Sequence, residues 1–403
     1  MKKDSNFKII YILQEKTLER FVKNKEIHFR LLNSLNKNFD LYIINISNII
    51  KENSVKLEKV DDFKYFAPKN VNEFKKFLKQ GKHLALVKLP ISISFHKIYR
   101  CLKLNDVKLF TFSNLVFAYD FKSKKDLKFY DFLNFAKISK KFNYFFYRLF
   151  ILLNFYPCVS FHFESDERRI KILKKSLIYK LQTLFPKLQL TYYDKIIRIN
   201  SKYYSQKIDE TKKLTEDYIV VCDTPISHPD ITTLDGKISD DKAERYYKRL
   251  FDFLVYISDQ FNKKIIFCAH PNGDYKTFKN FELINKNFKV TFYETSVYIK
   301  KAKLVLFQTS NTINEAIILK KPILQFQSNL LSNITKTKLL DLNSELGCSV
   351  VNIENFKEID LEFFNKLVKE KENYKNYIYS RLIFDSNKKD LDQLVEYIKK
   401  NIF

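Results

Sequence analysis

LVLFQTSNTINEAIILKKPIL, residues 304–324, is the stretch whose reading decides the fold. Leu304–Gln308 is a short apolar run of strand length, and Thr309, Ser310, Asn311 and Thr312 crowd its end. A helical segment starts at Ile313, and a second strand-like run, Pro322–Phe326, follows Lys320 and Lys321. Strand, tight turn, helix and strand in so few residues make one βαβ unit. Such a crossover joins parallel strands, and parallel sheets are covered by helices on both faces. The fold class is therefore α/β.

The same alternation extends in both directions. Tyr218–Cys222, Lys264–Cys268 and Lys289–Phe292 read as strands, and Asp241–Phe261 and Ser296–Lys301 as helices. In the first third, strand-like Lys8–Leu13, Asp40–Ile46, His83–Leu89 and Val107–Phe112 alternate with helical Thr17–Leu35, Val71–Leu78 and Phe95–Leu104. Helical Asp166–Leu184 and strand-like Lys195–Ile199 complete this series. The stretch Asn200–Asp217 is polar and nearly free of long apolar side chains, so it reads as a connection. The expected organisation is an N-terminal Rossmann-like domain over 1–205, a linker over 206–217 and a C-terminal ligand-binding domain over 218–385. A C-terminal helix over 386–403 follows a break at Ser386–Asn387.

With 403 residues, two domains are expected. Hydrophobic residues at 45% exclude a disordered chain. Lys and Arg number 72 against 46 Asp and Glu, a formal charge of +26 that suits phosphorylated ligands or an anionic membrane surface. The lysines are spread along the chain without a basic arm, which argues against a nucleic-acid partner. A lysine-rich composition with a solvated basic face accounts for the charge equally well. The five cysteines stand far apart with no CxxC pair, so they read as reduced, buried thiols and no metal site is expected.

The N-terminal apolar run is too short and too soon followed by charge for a signal peptide. Only the aromatic stretch Phe142–Phe163 approaches membrane length, and Pro157 divides it. It reads as a buried helix followed by a strand. A helix lying on a membrane surface and a true span are the alternatives.

In an open parallel sheet, ligands bind beyond the carboxyl ends of the strands. Two such ends carry chemistry. His270-Pro271-Asn272-Gly273 follows Lys264–Cys268: the imidazole can hydrogen-bond or titrate, Pro271 fixes the backbone, and Gly273 permits a turn. Thr309–Thr312 opens the helix at Ile313, where backbone N–H groups and hydroxyls suit an anion. Thr312 with Glu315 also fits a capping box, a purely structural role. The two ends are expected on neighbouring strands.

This ordered pair resembles the nucleotide-binding half of glycosyltransferases with the GT-B fold. More closely, it looks like bacterial surface-polysaccharide transferases and those that move sialic acid or Kdo. The stretch Val221-Cys222-Asp223-Thr224-Pro225-Ile226-Ser227-His228-Pro229-Asp230 is similar to one that follows the linker in surface-carbohydrate transferases. The resemblance covers about residues 190–330, and the first half matches only as a generic Rossmann-like domain. It implies two Rossmann-like domains facing a cleft and a nucleotide-sugar donor, such as a CMP- or UDP-sugar. The donor would be held by His270, Pro271, Asn272, Thr309, Ser310, Asn311, Thr312 and Glu315. It implies a surface glycan or glycolipid acceptor, no cofactor, and a place in the cytoplasm or peripheral on the inner membrane face. The relatives often carry adjacent serines where this chain has Thr309–Thr312, and their acidic-Gly motif has no counterpart in the N-terminal half. His228 and Asp230 are the first candidates for the catalytic base, followed by Asp120, Glu164 and Asp166. A nucleotide-sugar epimerase and a non-catalytic glycan- or nucleotide-binding subunit are the competing readings.

Overall fold

A computed structural model describes residues 7–13, 25–50, 63–87, 89, 95–113, 146–147, 149–175, 180–181, 184, 193–208, 216–226, 238–270, 273, 275, 278–331, 333–357 and 359–402. These fall into two compact units. Unit 1 takes the residues up to 113, those of 146–200 and those from 387 on, and unit 2 takes 201–386.

Unit 1 is a seven-stranded, wholly parallel sheet: β1 (Phe7–Leu13), β2 (Asp40–Asn45), β3 (Lys64–Phe66), β4 (Lys82–Val87), β5 (Lys108–Ser113), β6 (Val159–Glu164) and β7 (Tyr193–Arg198). The spatial order is β3-β2-β1-β4-β5-β6-β7. Helices α1 (Lys25–Asn38), α2 (Val71–Leu78), α3 (His96–Leu104) and α4 (Glu167–Lys175) connect the strands. Strand β1 shows why the sheet lies buried. Ile9, Tyr11 and Leu13 enter one core, while Ile10 and Ile12 enter the core on the opposite face. A strand apolar on both faces needs cover on both, which only a central parallel position provides. Helix α2 is set by Asn70, whose side chain accepts from the Glu73 N–H, and it buries Phe74, Phe77 and Leu78.

Unit 2 opens with α5 (Lys202–Ile208), inside the polar stretch read from sequence as a connection. Tyr203 and Tyr204 turn into its core, which the surrounding lysines and serines concealed. Six parallel strands follow: β8 (Tyr218–Cys222), β9 (Lys264–Ala269), β10 (Lys289–Phe292), β11 (Leu304–Phe307), β12 (Ile323–Gln327) and β13 (Val350–Asn352). Their order is β10-β9-β8-β11-β12-β13. Both sheets thus run outward from a first strand in one direction and then in the other, the order of a Rossmann fold. The connecting helices are α6 (Asp240–Phe261), α7 (Lys279–Asn287), α8 (Thr295–Lys301), α9 (Ile313–Ile318), α10 (Asn333–Leu346) and α11 (Leu361–Glu370). Helix α6 begins at Ser239, whose hydroxyl accepts from the Lys242 N–H, and ends at Asn262 in the left-handed region (φ 47°). Its inner face, Ala243, Tyr246, Tyr247, Leu250, Phe253, Leu254 and Ile257, repeats at three and four residues.

The last helix, α12 (Asp390–Ile402), returns to unit 1 and places Leu391, Leu394, Val395 and Ile398 in its core. Strands β3 and β13 and helices α7 and α10 were not legible in the sequence. Three-residue strands show no alternation, and in α10 the buried Leu339, Leu342 and Leu346 are interspersed with lysine, threonine, asparagine and aspartate and with an exposed Leu340.

The aromatic stretch is helical at 149–152, turns, and enters β6. Tyr147, Ile151 and Tyr156 are buried in a unit 1 core, while Leu152, Leu153 and Phe155 are exposed. No described helix is long and apolar enough to cross a membrane. All five cysteines are free and buried.

His83, on β4, is buried against the Phe77 ring at 5.5 Å between centroids. Burial first, and the Lys8 ammonium second, hold its pKa down at about 4, against the Leu78 and Phe77 carbonyls. A lowered folded-state pKa contributes stability above the ordinary value of 6.5, and that stability is lost as pH falls toward 4. His83→Leu is therefore expected to flatten the acid side of the melting-temperature profile between those limits. An unchanged acid slope in thermal unfolding would show that other groups set it.

Candidate functional site

Strand order reverses between β8 and β11 in unit 2, and the carboxyl ends of these strands form the switch point where Rossmann-type sheets take ligands. Register brings Cys222 beside both Phe307 of β11 and Cys268 of β9. Asp223, Ala269–His270 and Gln308–Thr309 therefore leave the sheet together. The sequence reading placed the His270 and Ser310 elements on neighbouring strands. The structure inserts β8 between them, and Asp223 lies at its end.

Asp223 is 2% exposed. The Tyr275 hydroxyl donates to Asp223 Oδ2 at 2.6 Å and accepts the His270 backbone N–H at 2.8 Å. One phenol thus links the end of β8 to the residue after β9. Asp223 Oδ1 is buried with no hydrogen-bond partner among the described residues. Burial, the largest influence, pushes the carboxyl up to about 7, while the Tyr275 hydroxyl and the Thr224 backbone N–H pull it down. Beside this pair, Gln308 Nε2 donates to the Tyr246 hydroxyl at 3.0 Å. Four polar side chains therefore meet inside an apolar core at the ligand end of a sheet. Such burial is costly for a fold and is found where a site needs it.

Gly273 closes the turn by donating its N–H to the His270 carbonyl at 2.9 Å. The sequence suggested that glycine is there for its backbone freedom. Its φ is not among the positive ones, so close approach is the reason. A Cβ on Gly273 would lie 2.3 Å from Tyr275 Cε2 and 2.9 Å from Pro225 Cγ.

On the other side of β8, the Ser310 and Thr312 hydroxyls bond each other at 2.6 Å, and both residues are partly exposed. The N–H groups of Ile313, Asn314 and Glu315 donate to the carbonyls of Ser310, Asn311 and Thr312. Helix α9 is short, and its first amides are occupied by this tight turn. The hydroxyls are the groups it offers. The capping box expected from Thr312 and Glu315 does not form, since Thr312 makes no side-chain cap. Glu315 is buried and accepts instead from the Ser296 hydroxyl at 2.5 Å. Asn314 holds the turn from within: its Nδ2 donates to the Asn311 carbonyl, and its Oδ1 accepts from the Tyr377 hydroxyl at 2.7 Å. The Thr309 hydroxyl oxygen is buried without a partner among the described residues.

In unit 1, Glu164 and Asp166 stand at the carboxyl end of β6 and are buried. Glu164 Oε1 accepts the Ser165 and Asp166 backbone N–H groups, and Oε2 faces Arg169 at 3.3 Å and His162 at 3.5 Å. Asp166 Oδ1 accepts the Arg168 N–H at the start of α4. Both carboxylates shape the β6–α4 turn. His162 bonds the Thr111 hydroxyl at 2.7 Å and stacks on Tyr193. Pro271, Asn272, His228, Asp230 and Asp120 lie outside the described residues.

Asp223, Tyr275 and Gln308 are the members that sequence reasoning did not select. The available signal was an aspartate directly after YIVVC, a run apolar on every residue.

No family model and no curated protein matches the sequence. Among solved structures, the chain is similar to the UDP-GlcNAc 2-epimerase from Methanocaldococcus jannaschii, at 14% identity over 98% of this chain and 100% of that one, with a TM-score of 0.46. It is similar to the H444N variant of the wall teichoic acid polymerase TagF at 10% identity, over 99% of this chain and 90% of that one, with a TM-score of 0.48. The UDP-GlcNAc 2-epimerase from Neisseria meningitidis bound to UDP-GlcNAc matches at 10% identity, over 98% and 100%, with a TM-score of 0.43.

Proposed function

We propose that this chain is a glycosyltransferase that moves a sugar from a CMP- or UDP-activated donor to a surface glycan such as capsule or lipopolysaccharide. The nucleotide-sugar lies on unit 2. The observation that carries this reading is the meeting of His270, Asp223 and the Thr309–Thr312 turn at the strand-order reversal of a Rossmann-type sheet. The Ser310 and Thr312 hydroxyls are the donors for a phosphate, and the His270 imidazole bonds the nucleoside or phosphate. Pro271, Asn272, Thr309 and Asn311 complete the binding stretch. Glu315 contributes by holding α8 to α9 rather than by touching ligand. His228 and Asp230 are assigned as the groups that take the proton from the attacking hydroxyl. Glu164 and Asp166 are poor substitutes, because each is buried and engaged by backbone amides.

An anionic membrane surface is the proposed location of a lipid-linked acceptor. Exposed Leu152, Leu153 and Phe155, on a chain of charge +26, support that part of the reading.

Calorimetric titration with CMP, UDP and their sugars tests the binding claim. His270→Ala and Ser310→Ala are each expected to weaken the preferred nucleotide by about tenfold, the value of one lost charge-assisted hydrogen bond. Unchanged affinity in both variants would sink the nucleotide assignment. Turnover without an acceptor would mark an epimerase, and binding without turnover a non-catalytic subunit.

A further inference from the structure

Helix α9 carries a fully buried amide. Ile313, Ala316, Ile317 and Ile318 enter the core around it, and Asn314 has no exposed surface. Asparagine is a poor interior residue for a short apolar helix, and a buried amide costs stability unless its polar atoms are paired. Those of Asn314 are. Nδ2 donates to the Asn311 carbonyl at 3.0 Å, and the same carbonyl accepts the Asn314 backbone N–H. A carbonyl only accepts, so this contact fixes which way the amide faces. Oδ1 then accepts the Tyr377 hydroxyl at 2.7 Å. The Tyr203 hydroxyl, from α5, bonds the same side chain.

Tyr377 is held in turn. Its ring is 2% exposed and lies under the Arg381 guanidinium at 4.7 Å, and that guanidinium pairs with Glu345 of α10. A π-helical turn, Ile378–Leu382, follows it, a rare form that is frequent at functional sites.

This chain of contacts ends on the turn between β11 and α9. Asn311 stands between Ser310 and Thr312, whose hydroxyls lie 2.6 Å apart and whose side chains are partly exposed. Asn314 grips the middle residue from the core and leaves the two hydroxyls on either side of it toward the surface. With the Asn311 carbonyl held, both hydroxyls can turn their protons to a ligand without reordering the backbone.

We propose, on the basis of the nucleotide reading of this site, that Asn314 and Tyr377 are positioning residues that fix the Ser310–Thr312 hydroxyl pair in the arrangement that receives a nucleotide phosphate. Neither touches the ligand.

Stability and affinity together separate this role from a merely structural one. Asn314→Leu strips the Tyr203 and Tyr377 hydroxyls of this partner, so the denaturant midpoint of unit 2 is expected to fall. Asn314→Leu combined with Tyr203→Phe and Tyr377→Phe replaces the polar set by apolar groups, and the midpoint is expected to recover. Affinity for the preferred one of CMP and UDP, by calorimetric titration, stays about tenfold weaker in both variants. Amide hydrogen exchange over 309–316 of the ligand-free full chain is faster in the triple variant, while β12 peptides keep their rates. Affinity that recovers with stability overturns the positioning role and leaves the nucleotide reading standing. An unmodified protein that binds neither nucleotide removes that reading. Exchange then decides the hold on the turn: faster exchange over 309–316 in the triple variant supports it, and an unchanged rate overturns it. Should the triple variant not fold, Tyr377→Phe against Tyr374→Phe makes the same comparison. Tyr374 is buried in the same core, with its hydroxyl toward Ile323 of β12. Only Tyr377→Phe is expected to weaken the nucleotide, by about fivefold, and equal affinities overturn the proposal.

Discussion

Deleting Asn387–Phe403 will abolish cooperative folding of unit 1 while unit 2 keeps its own melting transition. Helix α12 places Leu391, Leu394, Val395 and Ile398 in the core that also holds Leu13, Leu32, Phe161 and Phe163. Burying a large aliphatic side chain is worth about 1.5–3 kcal/mol, so these four contribute on the order of 10 kcal/mol. A whole domain is stable by about 5–15 kcal/mol. Polar contacts add to the loss. Arg30 pairs with fully buried Asp390 at 2.6 Å. The Asn200 N–H donates to Gln393 Oε1 at 2.7 Å, and Asn200 Nδ2 to the Lys388 carbonyl at 2.5 Å. Without α12 these groups and the part of the sheet face beside α1 stand open. Differential scanning calorimetry should show one transition instead of two, and limited proteolysis should digest residues 1–200 first. Leu394→Ala, a graded version, is expected to cost about 2–5 kcal/mol. A truncated chain that retains both transitions would mean that unit 1 is stabilised elsewhere.

Gly273→Ala is expected to be the most damaging single-methyl change near the candidate site. The new Cβ would meet Tyr275 Cε2 at 2.3 Å, well inside contact distance. The end of an aromatic ring often yields at little cost, but this ring is held at its hydroxyl by two partners and packed beside Phe281. Relief requires either a shifted turn or a broken Tyr275–Asp223 bond. Overpacking costs about 1–3 kcal/mol and a stranded buried polar group a similar amount, so a loss of about 3 kcal/mol is expected in the unfolding of unit 2. Nucleotide affinity should fall at least tenfold, because His270 moves with the turn. Denaturant unfolding and nucleotide titration together check this. Gly273→Ala with unchanged stability would mean that Tyr275 is freer than its contacts indicate.

Much of the fold was readable from single runs of residues. Lys8–Leu13 and Tyr218–Cys222 are apolar on both alternating faces, which by itself requires central parallel strands under helices. The period of Asp241–Phe261 marked α6, and the break at Ser386–Asn387 marked the start of the last helix. These features are local, since strand and helix periods are properties of neighbours in the chain.

The strand order was not local. His270 and Ser310 were correctly placed at strand ends, but only the sheet shows that β8 separates them and brings Asp223 between. Tyr275, five residues beyond His270, looked like one tyrosine among 25 until its hydroxyl was seen to join Asp223, 52 residues away, to the His270 backbone. Thr312 and Glu315 matched a capping box in sequence, yet Ser296 on another helix claimed the carboxylate. Sequence alone determined that this is a repeated α/β chain with two chemically marked strand ends in its second half. Which side chains share those ends was decided by the tertiary structure. Burial and pairing depend on residues that the chain brings together only when the sheet is assembled.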